Sequence, residues 1–220
     1  EDGKIFPFNS NGDEQQYPNG YEGLMWKTTA PGWTNGPNSN RVGHDIEIVN
    51  GRKLKTSGEN EQVSQFSVTQ DEMYKNNAHG DQFAELNCEN VGALYQDILT
   101  TPGETLNYQL SHRASGSRAD NTSEYDTMYV LIMSTALAKQ YDVTTEAKAQ
   151  DIVNHPENYS GATVVSYRDD DQKWTTHQGV YNVPEGSEQY STRFFFVAGT
   201  TASGNKTVGN FLDNIKLTRD

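Results

Sequence analysis

The sequence predicts an all-β fold, an antiparallel β-sandwich of the jelly-roll type with one short inserted helix around residues 145–154. Two features of the sequence lead to this prediction. Segments of strand length in which apolar and polar residues alternate recur from residue 45 onward, and turn-forming Gly, Pro, Asn and Asp residues separate them. About eight to ten strands with such short connections are typical of sandwiches and jelly rolls.

Each predicted strand has its own pattern. The clearest alternation runs through residues 105–113. One face of that segment carries Leu106, Tyr108, Leu110 and His112. Residues 126–133 form an apolar run short enough to be a strand that is buried on both faces. The other predicted strands are 45–49, 83–88, 92–99, 162–167, 173–183, 190–198 and 210–218.

Residues 134–160 interrupt the β pattern. Thr145 is a candidate helix N-cap, and Glu146 follows it in the first turn, where a carboxylate is favourable. Residues 147–152 tolerate a helix, and His155-Pro156 marks its end. We therefore expect one short helix between strands.

Length and cysteine content indicate one domain. A chain of 220 residues fits a loop-like extension at 1–18 and a single sandwich domain at 19–220. Cys88 is the only cysteine, so an intrachain disulfide is excluded, and its alternating context predicts a small buried side chain. The longest apolar runs, 128–133 and 194–198, are too short to span a bilayer, so no membrane insertion is expected.

The acidic charge narrows the choice of partners. The chain has 17 Lys and Arg against 30 Asp and Glu, a net charge of −13, which repels phosphate-rich partners. Nucleic acid and anionic membranes are therefore poor candidates. Only 21% of the residues are charged, and Asn, Gln, Ser, Thr and Gly supply much of the remaining polarity. This composition favours a secreted or surface-attached extracellular β-protein.

The search for catalytic motifs favours a protein that is not an enzyme. Phosphate-binding loops, zincin motifs and nucleophile elbows are absent from the sequence, and the five histidines fall in separate segments without ligand-type spacing. Paired carboxylates are the remaining enzymatic hypothesis, because jelly rolls can cleave glycans with two acids. Asp45 and Glu47 share one strand face, and Glu85 lies on another strand.

Sugar recognition fits the residue chemistry better. Aromatic faces stack on pyranose rings, and amides, carboxylates and guanidinium groups bind neighbouring hydroxyls without any reaction. For each aromatic residue the alternative is packing in the core. The candidate ligand-binding residues are Trp174, Arg113, Glu85, Asn87, Gln96, Tyr108 and Trp33.

Several motifs resemble those of galactose-binding-like jelly rolls. They are HGDQFAELN at 79–87, ALYQDI at 93–98, TTPGET at 100–105 and SHR at 111–113, followed by similar closing segments at 126–128, 181–184, 192–196 and 209–215. The resemblance covers residues 19–218. It implies a carbohydrate-binding module of a secreted or cell-wall-attached protein from a Gram-positive gut bacterium, present as a monomeric module of a longer chain.

The same resemblance implies a structural calcium ion that links the first strand to the last. The matching residues are Asn19, Glu22 and Asp213, and oxygen donors of this kind suit Ca²⁺. The sequence departs from the family pattern after Arg113, where a second arginine is delayed to Arg118, and in the inserted segment 134–160.

Three functional hypotheses follow from the sequence. The first is a lectin-like module that binds a glycan or glycoprotein. The second is a structural or protein-binding domain of an adhesin, without affinity for sugar. The third is a jelly-roll glycoside hydrolase or lyase that uses paired carboxylates, which requires two acids about 5 to 9.5 Å apart across a cleft.

Overall fold

A computed structural model describes ten stretches of the chain. They are residues 24–28, 34–35, 46–50, 82–87, 91–114, 125–169, 173–186, 189–202, 204 and 209–219. Within these stretches the strands are β1 (Leu24–Thr28), β2 (Thr34–Asn35), β3 (Ile46–Asn50), β4 (Gln82–Glu85), β5 (Ala93–Leu99), β6 (Thr105–Arg113), β7 (Asp126–Ser134), β8 (Thr163–Asp169), β9 (Thr175–Asn182), β10 (Ser191–Ala198) and β11 (Phe211–Arg219). The helices are α1 (Thr135–Gln140), α2 (Glu146–Asn154) and a 3₁₀ helix, Pro156–Asn158.

The strands form two antiparallel sheets. One has the order β1-β3-β4-β11-β6-β9, and the other has the order β2-β5-β10-β7-β8. The predicted all-β sandwich is therefore confirmed. The strands predicted from residue 83 onward are all present within a few residues of their predicted bounds. Cys88 lies outside the described residues.

The main core fills the space between the two sheets. Leu106 and Leu110 of β6 and Phe194 of β10 are essentially inaccessible to solvent and pack in this core. The burial of β6 alternates along its first six residues, as its sequence predicts. Apolar burial on this scale, at about 25 cal/mol per Å², supplies the main stabilisation of the sandwich.

A helical layer covers the outer face of the five-stranded sheet. Ile152 and Ala149 of α2 pack against Leu131 of β7 and Phe195 of β10. This second layer is the reason that β7 is buried on both faces, as its apolar run predicts. No helix among the described residues is long and apolar enough to cross a bilayer.

Local capping defines the two α-helices. Thr145 caps α2 by accepting a hydrogen bond from Lys148 N–H at 3.2 Å, so the predicted helix is confirmed. Ser134 caps α1 by accepting a hydrogen bond from Leu137 N–H at 3.1 Å. The prediction of a single helix was wrong here, because Ser134 is itself the last residue of an apolar strand and no acidic residue marks the first turn of α1.

The two sheets have neighbouring edges at one side of the sandwich. β9 ends the six-stranded sheet and β8 ends the five-stranded sheet, and the two strands are consecutive in the chain. Tyr167 of β8 stacks on His177 of β9 and shares a hydrogen bond with Tyr108 of β6. Residues of the three strands therefore meet at this side of the sandwich.

Candidate functional site

The outward face of the six-stranded sheet carries a row of uncharged polar side chains. β6 and β9 pair in register, with Gln109 opposite Gln178 and Ser111 opposite Thr176. These positions alternate along β6 with core residues, so they face away from the other sheet. We call this surface the polar strip, and it consists of Asn107, Gln109, Ser111, Thr176, Gln178 and Asn182.

The polar strip offers hydrogen-bonding groups without formal charge. Gln178 Nε2 donates to Gln109 Oε1 at 3.2 Å, and Thr105 Oγ1 donates to Asn182 Oδ1 at 3.1 Å. Gln178, Asn182 and Thr176 are exposed, whereas Gln109 is half-buried. Each amide has two donors and an acceptor, so these contacts leave further hydrogen-bonding capacity on the surface.

Trp174 lies at one end of the polar strip, directly before β9. Its indole packs edge-on against Phe83, with the ring centroids 5.3 Å apart and an angle of 71° between the planes. The side chain is half-buried, so part of it is accessible to solvent. Its Nε1–H has no hydrogen-bond partner among the described residues.

Three other predicted site residues lie on the same face but below the surface. Glu85 and Arg113 are both paired with Phe211 of β11, one on each side of it, and Asp213 lies opposite Ser111. Their side chains are buried, with Arg113 0% exposed, Glu85 3% and Asp213 8%. The structure thus brings Glu85, Arg113 and Asp213 to one buried region of the same sheet face, beside the exposed part of the strip.

Asn87 belongs to a buried hydrogen-bond network at one end of the sandwich. Its Oδ1 accepts from Asn210 Nδ2 at 3.0 Å, and Asn210 Oδ1 accepts from His112 Nε2 at 2.9 Å. All three residues are 0% exposed. Such fully buried polar groups remain stable only when they are hydrogen-bonded to each other.

Two carboxylates hold the loop before β11. Asp126 accepts hydrogen bonds from Ala202 N–H at 2.6 Å and Asn210 N–H at 3.1 Å, and Glu85 Oε1 accepts from Gly209 N–H at 2.7 Å. Gly209 has φ +147°, a conformation that side chains rarely adopt. The Glu85 carboxylate therefore has a structural contact of its own.

A second cluster lies inside the sandwich, where β6, β8 and β9 meet. The ligand-capable atoms of His112, Asp169 and His177 all lie within 4.8 Å of one another. The distance from His112 Nδ1 to Asp169 Oδ2 is 3.8 Å, and Tyr167 stacks on His177 with ring centroids 4.3 Å apart. Burial lowers the pKa of His112 to about 3 and also lowers the pKa of His177.

Tyr108 and Gln96 lie away from the polar strip. Tyr108 is 5% exposed in the core, packs edge-on against Phe194 and shares a 3.0 Å hydrogen bond with the Tyr167 hydroxyl. Burial raises the pKa of Tyr108. Gln96 is half-buried on β5 of the other sheet, opposite Phe194. Ligand binding by Tyr108 and Gln96 therefore stays a prediction, and neither residue belongs to the polar strip.

The remaining predicted site residues are not all within the described part of the chain. Trp33, Asn19 and Glu22 lie outside the described residues. Of the predicted calcium ligands only Asp213 is described, on β11. The calcium site therefore stays a prediction.

The sequence did not predict that His112, Asp169 and His177, which we call the histidine cluster, lie together. His112 and His177 are 65 positions apart by their numbering (177 − 112), and Asp169 lies in a run of acids that is typical of a solvated loop. The available signal was that His112 lies on the same face of its strand as Leu110. In the structure Leu110 is in register with His177, so both histidines lie on that face. That pairing required knowledge of which strands are neighbours.

No protein-family model matches this chain, and no curated protein matches it. Carbohydrate-binding modules recur among the similar solved structures. A family 61 carbohydrate-binding module in complex with beta-1,4-galactotriose is 11% identical with a TM-score of 0.43, and the match covers 87% of this chain and 90% of that one. A second module, of the type named CBM4, is 10% identical with a TM-score of 0.38, and the coverage is 92% and 81%.

Other similar structures are enzymes. A cyclase from Fischerella sp. TAU is 10% identical with a TM-score of 0.48, and the match covers 90% of this chain and 88% of that one. The enzymatically active domain of Bacteriophage CBA120 tailspike protein 4 is 10% identical with a TM-score of 0.41 over 86% of this chain, which spans only 20% of that chain. At these identities and TM-scores, the similarities place this chain in no family.

Proposed function

We propose that this protein is a non-catalytic, lectin-like carbohydrate-binding domain that binds a glycan along the polar strip. The observation that carries the proposal is the strip itself, a row of amide and hydroxyl side chains on β6 and β9 with Trp174 at one end. Water-facing sheet surfaces are polar in many proteins. On β6 and β9 the polarity comes from uncharged groups, with the exposed Lys216 of β11 opposite Gln109 at the side of the strip, although the chain as a whole has a net charge of −13.

The spacing of the strip suits a chain of sugars. Side chains on one face of a strand recur about every 6.8 Å, and neighbouring strands lie about 4.8 Å apart. Gln109 and Gln178 therefore present a pair of amides, with Ser111 and Thr176 on one side and with Asn107 and the exposed Val180 on the other. Each amide can donate to one sugar hydroxyl and accept from the next, and Trp174 can pack against the apolar face of a ring.

In this proposal the buried residues beside the strip have a structural role and do not contact the glycan. Arg113, Glu85 and Asp213 are at most 8% exposed, so their contribution is to hold β4, β6 and β11 in place under the binding face. A calcium ion on Asp213, together with secreted or cell-surface localisation, completes the proposal. Both fit an acidic domain that meets glycans outside the cell.

Binding without reaction is favoured over hydrolysis. The register of β3 with β4 sets Glu47 opposite Glu85, which is the pair that a carboxylate mechanism would use. The Glu85 carboxylate, however, accepts a hydrogen bond from Gly209 N–H at 2.7 Å and is 3% exposed. An acid engaged in holding a loop is a poor general acid or base.

Glycan-array binding tests the proposal. The wild-type protein is expected to bind a subset of glycans. Gln178→Ala is expected to weaken that binding about two- to tenfold for each hydrogen bond lost, since such a bond contributes about 0.5–1.5 kcal/mol. Trp174→Ala should weaken it further. Gln140→Ala removes an exposed amide from α1, on the helix-covered sheet, and is the matched control.

Two outcomes would refute binding at the strip. One is an array without any signal for the wild-type protein. The other is equal binding by Gln178→Ala, Gln140→Ala and wild type, with melting curves that show all three folded.

A further inference from the structure

The cluster of His112, Asp169 and His177 contains two buried nitrogen atoms, one on each histidine, that are not hydrogen-bonded within the described part of the chain. They are His112 Nδ1 and His177 Nε2. One ring nitrogen of each histidine and an Asp169 carboxylate oxygen all lie within 4.8 Å of one another, and His112 Nδ1 is 3.8 Å from Asp169 Oδ2. A buried polar atom without a partner costs about 1–3 kcal/mol, so a pair of them at one place calls for an explanation.

The hydrogen-bond network fixes which nitrogen of His112 carries the proton. Asn210 Nδ2 faces the Thr200 carbonyl at 3.4 Å and Asn87 Oδ1 at 3.0 Å, and a carbonyl only accepts. Asn210 Oδ1 must therefore face His112, and His112 Nε2–H donates to it at 2.9 Å. In the neutral imidazole this leaves a lone pair on Nδ1, directed at the side of the ring where Asp169 Oδ2 lies 3.8 Å away.

A lone pair and a carboxylate oxygen repel each other unless a proton, a water molecule or a metal cation lies between them, and burial disfavours the protonated imidazole. His177 adds a second nitrogen to the same space, and its ring is held by stacking on Tyr167 at 4.3 Å. Two imidazole nitrogens and one carboxylate form a donor set that zinc and related first-row metals prefer, whereas Ca²⁺ and Mg²⁺ prefer oxygen donors alone. The Asn210 amide is the kind of outer partner that orients a metal-binding histidine.

We infer that His112, Asp169 and His177 form a binding site for a zinc-class divalent metal ion. A tetrahedral zinc ion holds its ligand atoms about 3.3 Å apart, so side-chain movements of about 1 Å would bring the three atoms into place. The three protein ligands leave a fourth position for water. None of these three residues is among those predicted to bind calcium, and the inference does not depend on the proposed glycan binding.

The position of the cluster indicates what the ion does. His112 and His177 lie on β6 and β9 of one sheet, and Asp169 lies at the end of β8 of the other. β8 and β9 are the edge strands of their sheets at this side of the sandwich. A bound ion would therefore join strands of the two sheets that the described residues do not connect by backbone hydrogen bonds, and it would stabilise the folded state.

Metal titration of the metal-free protein tests the inference. After treatment with EDTA and removal of the chelator, wild type is expected to bind one Zn²⁺ per chain. Its melting temperature should rise by about 5–10 °C at a free Zn²⁺ concentration about one hundred times the dissociation constant, because only the folded state binds the ion. Ca²⁺ added in the same way should not compete for this site.

Two variants remove ligands and one serves as the control. Asp169→Asn keeps the shape of the side chain, and His177→Gln changes a half-buried residue, so at least one of them is expected to fold. Each should weaken Zn²⁺ binding at least about tenfold and abolish the rise in melting temperature. His155→Gln changes an exposed histidine beside Glu157 and should behave as wild type.

The inference is overturned if wild type binds no Zn²⁺ or shows no rise in melting temperature. It is also overturned if His177→Gln and Asp169→Asn, both folded, bind Zn²⁺ as tightly as His155→Gln. The latter result would mean that Zn²⁺ binds other surface groups.

Discussion

Asn210 connects four parts of the sandwich through one residue. Its carbonyl accepts from Leu86 N–H, its N–H donates to Asp126, and its amide bonds to Asn87 and His112. It also adopts φ +55°, in the left-handed region that asparagine tolerates better than most residues. A short polar side chain is therefore required there by both its backbone and its partners.

Asn210→Ala is expected to lower the free energy of unfolding by about 2–4 kcal/mol, because it strands buried polar groups and places alanine at positive φ. Urea denaturation measures the change. Asn214→Ala is the matched control, since Asn214 has φ +51° but only a 3.5 Å contact with Ser111. Its loss should be about 1 kcal/mol, and equal losses for the two variants would contradict the importance of the network.

The buried histidines predict how stability depends on pH. In the metal-free protein the pKa of His112 in the folded state is about 3, below its ordinary value of about 6.5 in an unfolded chain. As the pH falls below about 6.5 the unfolded state takes up a proton that the folded state does not, so stability should decrease from pH 7 towards pH 5.

Urea midpoints between pH 5 and pH 7.5 check this sign. His177→Gln should make the decrease shallower, because burial also lowers the pKa of His177. A midpoint that rises as the pH falls would instead indicate a protonated His112 paired with Asp169.

The individual residues of the candidate site were predictable only in part. Trp174, Arg113 and Glu85 were chosen by residue type, and the structure does place them on one sheet face. Their burial was not predictable, since an arginine at the end of an alternating strand is usually exposed. Arg113 lies on the same face of β6 as Asn107 and Gln109 of the strip. Only the tertiary structure shows that this face is buried at the Arg113 end and open to solvent at the other.

Among the elements, α1 and α2 form a layer on the sheet that does not carry the polar strip. Ile152 is 0% exposed between α2 and β7. Ile152→Ala is expected to cost about 2–5 kcal/mol of stability through the cavity it leaves. Glycan affinity, measured by calorimetric titration well below the melting temperature, should change less than about twofold. A large loss of affinity in the folded variant would mean that the helical layer contributes to binding.

The strands and α2 were predictable because local patterns and tertiary packing agree in them. β6 alternates along its sequence and buries the alternating face, and Thr145 provides a cap for α2. α1 was missed because Ser134 both ends β7 and caps the helix. The pairing of β6 with β9, on which the strip depends, joins segments far apart in sequence and has no local signal.

For the molecule as a whole, the net charge of −13 and the uncharged strip lead to different salt responses. Raising ionic strength from about 0.05 to 0.5 M shortens the screening length from about 14 to 4 Å and should stabilise the acidic fold modestly. Glycan affinity should change less than about twofold over this range, because hydrogen bonds and stacking carry it. A fall of tenfold would show that binding depends on ion pairs.

Mapping of the glycan contact by nuclear magnetic resonance tests the central claim most directly. Titration of the isotopically labelled protein with the glycan that binds best on the array should shift the amide resonances of β6 and β9, together with the side-chain amides of Gln109 and Gln178 and the indole N–H of Trp174. Resonances of α2 should stay unchanged. Shifts confined to other elements, or no shifts at saturating glycan, would contradict the assignment of the polar strip as the binding face.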